Sequence, residues 1–158
     1  MKTQLIRNHS TLRLVGNSDN QNPIVMHPGE DGKRAVLPPG VALNTTGIPL
    51  ETLIQNGALV MPCPCLATFS GVASNRDNGA NPFRLFVVNT RNGEGETGVS
   101  AGGDDSHRAQ AKAGPFTLQV ETGDVVAFQV ANDGAEDMAL WPNPDAYALE
   151  VKFQNLEA

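Results

Sequence analysis

Phe116-Thr117-Leu118-Gln119-Val120-Glu121-Thr122-Gly123-Asp124-Val125-Val126-Ala127-Phe128-Gln129-Val130 is the stretch that decides the fold class. Its first six residues alternate apolar and polar, and successive side chains of a strand point to opposite faces. The last six are rich in β-branched and aromatic residues, which suit a pleated, half-buried surface. Between them Thr122-Gly123-Asp124 is turn chemistry, so the pair predicts a hairpin closed by a short glycine-containing turn.

Working outward, the same period of two recurs. Thr11–Val15 alternates before Gly16-Asn17-Ser18-Asp19-Asn20, a cluster of turn formers. Phe83–Asn89 and Ala146–Gln154 read as further strands, with shorter ones at Ile24–Met26, Ala35–Leu37, Val41–Leu43, Ala58–Met61 and Leu66–Ala73. One segment, Pro49–Asn56, carries helix signals: an early proline, Glu51 in the first turn and Gly57 just past the end. Asp137–Trp141 predicts a single helical turn stopped by Pro142 and Pro144. A parallel sheet needs crossover helices, and these are missing. The pattern predicts an all-β, single-domain antiparallel β-sandwich of jelly-roll type, or a small Greek-key barrel, with one short helix.

Composition narrows the function classes. The 158 residues amount to one domain, and 40% hydrophobic residues can fill one core. The formal net charge is −6, and only four of the eleven basic residues are lysine. Nucleic-acid binding needs a basic stripe that displaces counterions from phosphate. Lys33-Arg34, and His107-Arg108 with Lys112, are too short and too close to acids to form one, so no direct nucleic-acid partner is expected. The longest apolar runs are short, as in Ala58-Leu59-Val60-Met61, which excludes a helical membrane span. The first residues lack the apolar core of a secretory signal, so synthesis in the cytoplasm without secretion is expected.

The search for chemistry finds fragments. Cys63-Pro64-Cys65 offers two thiols, too few for a zinc tetrahedron, and reads as two small buried hydrophobes. Asp104, Asp105 and His107 lack the regular spacing of a calcium loop, and Gly93, Gly95 and Gly98 lack the lysine and helix of a phosphate loop. His9, His27 and His107 are far apart, so the first metal motif of a cupin fails. No catalytic residue, metal ligand or cofactor is assigned, and an enzyme is not expected. From Thr90 to Gly114 the chain holds six glycines and one β-branched apolar residue, Val99, which predicts one long Gly-rich loop.

The candidate partner-binding residues are Leu5, Ile6 and Arg7, in an N-terminal arm spanning residues 1–10 ahead of the domain at 11–158, and Trp141. An extended arm can add a strand to a neighbour's sheet edge. A lone tryptophan can anchor an interface or stack on a sugar. The Met1–Asn8 arm, the strands Phe83–Asn89, Phe116–Val130 and Ala146–Gln154, and the glycine-rich loop together resemble the make-up of tailed-bacteriophage capsid decoration, or cement, proteins. That resemblance implies a homodimer or homotrimer on the capsid exterior, bound to a major capsid or other shell protein, that stabilises the head without catalysis. Two alternatives stand beside it. A carbohydrate- or receptor-binding β module predicts Trp141 or Tyr147 exposed in a groove. A small metal-dependent double-stranded β-helix enzyme predicts His27 or His107 beside carboxylates.

Overall fold

The computed structural model describes residues 5–17, 24–28, 33–35, 37–75, 83–89, 94–97, 109–141 and 143–156. Among the described residues thirteen strands and one helix follow in chain order: β1 (Ser10–Val15), β2 (Ile24–Met26), β3 (Lys33–Ala35), β4 (Gly40–Asn44), α1 (Leu50–Leu53), β5 (Ile54–Gln55) and β6 (Ala58–Val60). They continue with β7 (Cys65–Asn75), β8 (Phe83–Asn89), β9 (Glu94–Thr97), β10 (Ala109–Val120), β11 (Val125–Asn132), β12 (Met138–Leu140) and β13 (Tyr147–Asn155). Every pairing is antiparallel. One sheet has the order β2-β12-β7-β13-β1-β4, with β10 on the other flank of β7. The second has the order β5-β6-β11-β8-β9, with β3 also on β11. The jelly-roll-type sandwich is therefore the correct alternative of the two.

The deciding stretch corrects its own first reading. β10 and β11 do not pair as a hairpin. Val120 lies opposite Cys65 on β7, and Val125 lies opposite Val60 on β6, so the chain crosses from one sheet to the other between them. Alternation dictates which side chains face inward and leaves the pairing partner open. The corner itself is built by Asp124, which is buried. Its carboxylate accepts from the Glu121 backbone N–H at 2.8 Å and from the Asn89 amide at 3.2 Å. Its backbone carbonyl accepts from Met61 N–H at 2.9 Å, and Gly123 N–H donates back to Met61 at 2.8 Å.

Between the sheets lies one core in which Phe69, Phe83, Phe128, Tyr147 and Phe153 are fully buried among Leu12, Leu14, Leu59, Leu85 and Val151. Burying each large apolar side chain contributes about 1.5–3 kcal/mol. Phe69 stacks on Phe116 with ring centroids 6.0 Å apart, and Phe128 on Tyr147 at 6.4 Å. Gly71 makes the second pair feasible: a Cβ there would stand 2.6 Å from Phe128 Cε2.

Other expectations change as well. The helix is a single turn, Leu50–Leu53, because Asn56 and Gly57 form the tight turn of a real hairpin between β5 and β6. Both turn residues have positive φ, 53° and 78°, which the twist of a two-residue hairpin requires. Asp137–Trp141 is not helical: Met138–Leu140 extends as β12 against β2. The first residue of β3 is Lys33, two positions before the expected start. The Thr90–Gly114 stretch is not one loop, since β9 pairs with β8 and β10 already runs from Ala109. Asp104, Asp105 and His107 lie outside the described residues.

Candidate functional site

The seven-stranded sheet has one face on the core and one face outside. Across β1, β13, β7 and β10 the outward positions fall into rows fixed by register. One row is Val15, Ala148, Val72 and Lys112; the next is Arg13, Glu150 and Ser70. A third is Thr11, Lys152, Thr68 and Thr117, in which the Thr68 and Thr117 hydroxyls share a 2.8 Å hydrogen bond. Val15, Val72, Ser70, Thr11 and Thr68 are short and half-buried by their neighbours, with strands about 4.8 Å apart. The face is accordingly shallow. At its centre is a depression of about 210 Å³ lined by Arg13, Ser70, Val72, Lys112, Ala148 and Glu150. Lys152 Nζ stands 3.7 Å from Glu150 Oε1, so both signs of charge occur on the face.

The lateral edges of this sheet are irregular. β4 pairs only with β1 among the described strands, and Ala42 is an extra residue between Val41, opposite Leu14, and Leu43, opposite Arg13. This bulge bends the edge. On the opposite flank β10 is interrupted at Gly114-Pro115, where the register against β7 shifts. Gly114 has φ of 81°, and a Cβ there would meet the Phe69 carbonyl oxygen at 2.2 Å, so only glycine fits. Pro115 has no N–H to donate to an added strand.

The candidate residues from the sequence are not gathered in one place. Leu5 is exposed, and Arg7 is exposed with its backbone N–H on Thr46 O at 2.9 Å. Ile6, however, is buried in the chain's own core, which anchors the arm at that point. Trp141 is half-buried where β12 meets β7, its backbone N–H donating to Ser74 O at 2.9 Å. Tyr147 is buried against Phe128, contrary to the exposure that a sugar-stacking role predicts. His27 Nδ1 lies 2.8 Å from Asp137 Oδ1 in an exposed pair. No three His, Cys, Asp or Glu side chains converge as a metal site among the described residues. Cys63 and Cys65 are buried free thiols, and burial, with the neighbouring Cys63, pushes the Cys65 thiol up to about 12. Residues the sequence reading did not single out include Asp124 and the Arg13, Glu150 and Lys112 trio; the alternation of Thr11–Val15 and Ala146–Gln154 puts Arg13 and Glu150 on strands, whereas Lys112 falls in the expected loop.

No family model matches the chain, and no curated protein matches it. Solved structures do. The globular domain of zebrafish complement 1qA protein aligns over 94% of this chain and 99% of that one, with a TM-score of 0.62 and 13% identity. Murine APRIL aligns over 94% and 100%, with a TM-score of 0.61 and 14% identity. The PRD1 vertex protein P5 aligns over 94% of this chain and 73% of that one, with a TM-score of 0.55 and 15% identity. The chain is a jelly-roll β-sandwich. At such identities the likeness extends to the fold.

Proposed function

We propose that the chain is a non-enzymatic structural protein of a virion, a capsid decoration or head-stabilising protein, and that it self-associates as a homodimer or homotrimer through the outer face of the seven-stranded sheet. The observation that carries this reading is that face. It presents the apolar row Val15–Ala148–Val72, flanked by Glu150 and the cations Arg13, Lys112 and Lys152, so two copies can cover the apolar row while the long charged side chains extend toward water. The blunted edges at Ala42 and Gly114-Pro115 favour contact through the face over strand addition. The fold shared with the PRD1 vertex protein supports a place in a shell, and a net charge of −6 suits the outside of a container of DNA. The exposed Leu5 and Arg7, with the half-buried Trp141, are the proposed contacts to a major capsid or other shell protein.

Sedimentation velocity tests the association. The purified chain is expected at two or three times 16.7 kDa, and Val72→Lys, at a half-exposed position, is expected to run as a single chain. A wild-type chain that stays monomeric at tens of micromolar refutes the reading. The virion location is tested by mass spectrometry of purified particles from the lysate that carries the gene, where absence of the chain retires it.

A further inference from the structure

The outer face of the seven-stranded sheet differs in charge from the chain as a whole. Its three rows described above carry the exposed cations Arg13, Lys112 and Lys152 against one acid, Glu150, on a chain of formal net charge −6. Lys152 Nζ, 3.7 Å from Glu150 Oε1, offsets that carboxylate. Arg13 and Lys112 have no ion-pair partner among the described residues. Both line the depression of about 210 Å³, together with the half-buried Ser70, Val72 and Ala148. They reach it from opposite flanks, Arg13 from β1 and Lys112 from β10, with β13 and β7 between them. Three strand spacings set their backbones roughly 14 Å apart across the sheet, so the two cationic heads can close on one small ligand from either side.

The donor set indicates what that ligand is. A guanidinium offers a fork of donors, an ammonium a point charge and a hydroxyl one further donor, a combination that suits a small anion with several acceptor oxygens. The same two cations oppose the association proposed above. Two copies that cover Val15–Ala148–Val72 crowd two sets of Arg13 and Lys112 around one small patch, where like charges repel and water screens them less. We propose that the depression is a site for a tetrahedral oxyanion of the phosphate or sulfate class, and that its occupancy strengthens self-association by neutralising these cations. The coupling rests on the face-to-face reading and adds a ligand to it.

The test titrates the folded full-length chain with inorganic phosphate at neutral pH, chloride being exchanged out to hold ionic strength constant. Nitrogen-15 NMR is expected to show saturable shifts at the Ser70 and Val72 amides and at the Arg13 Nε–H. Sedimentation velocity in the same buffers is expected to show association about tenfold tighter at ten times the measured Kd of phosphate, for one ion per interface. Arg13→Gln combined with Lys112→Gln, at two exposed positions, is expected to melt with wild type, to lose these shifts and to associate alike in both buffers. Shifts that do not saturate, lie elsewhere or survive the double substitution overturn the site. Saturable binding with equal association in both buffers overturns the coupling. Saturable binding to a chain that is monomeric in both buffers leaves the site standing and refutes the self-association.

Discussion

Replacing Asp124 by alanine removes the keystone of the crossing between the two sheets. Its carboxylate is buried and accepts hydrogen bonds from Glu121 N–H at 2.8 Å and from Asn89 Nδ2 at 3.2 Å. A hydrogen bond to a charged group contributes about 1.5–3 kcal/mol, and the longer one sits at the low end of that range. Alanine also strips the Glu121 N–H of its acceptor in a part-buried corner. The two losses are coupled and do not add in full, so the expected cost is about 3 kcal/mol. For a chain of this length each kcal/mol moves the midpoint by about 2–4 °C, so the melt drops by about 6–12 °C. Circular dichroism at 218 nm during heating measures this, with urea titration as an independent check of the free energy. Asp124→Asn keeps one acceptor oxygen and is expected to lose about half as much. If Asp124→Ala melts within 2 °C of wild type, the corner is held by the Met61 backbone pair alone and the reasoning is wrong.

Further outcomes follow from packing and titration. Gly71→Ala places a methyl 2.6 Å from the ring of Phe128, which is buried and stacked on Tyr147, so urea denaturation is expected to show a loss of about 1–3 kcal/mol. Gly57→Ala meets no neighbour within 4 Å yet must hold φ near 78°, and is expected to cost about 1 kcal/mol in the same assay. The Cys65 thiol is held protonated up to about 12 against an unperturbed 9.0, so the folded state keeps a proton that the unfolded chain gives up above pH 9. Stability is therefore expected to fall as pH rises from 9 toward 12, by up to about 1.4 kcal/mol per unit. Cys65→Ala, measured under reducing conditions, is expected to lose less stability than wild type between pH 8 and pH 10.

The limits of sequence reading follow from what local patterns encode. Strands at Ser10–Val15 and Tyr147–Asn155 are legible from alternation against one core, and Phe83–Asn89 and Val125–Asn132 from their β-branched and aromatic content. Pairing was not, because Val120 and Val125 look the same whether they face each other or face Cys65 and Val60 across two sheets. The Asn56-Gly57 turn was misread as a helix end since glycine serves both purposes, although Ile54-Gln55 and Ala58-Leu59 around Asn-Gly carry the hairpin signal. β12 reads as a helical turn in the sequence because three apolar residues beside a tryptophan have no period that separates strand from helix. The outer-face rows emerge only after β1, β13, β7 and β10 are aligned, since Arg13, Glu150 and Lys112 are far apart in the chain.

The irregular flanks of the large sheet have a consequence for how such a chain accumulates. A smooth strand edge is a template that never runs out: each added copy offers a fresh edge to the next, and growth has no stopping point. The extra residue at Ala42 and the Gly114-Pro115 interruption disrupt that template along β4 and β10. Contact through the sheet face, as proposed, uses a finite surface, which is consumed when a ring or pair is complete. A chain built this way can accumulate to high local concentration without those two edges seeding fibres.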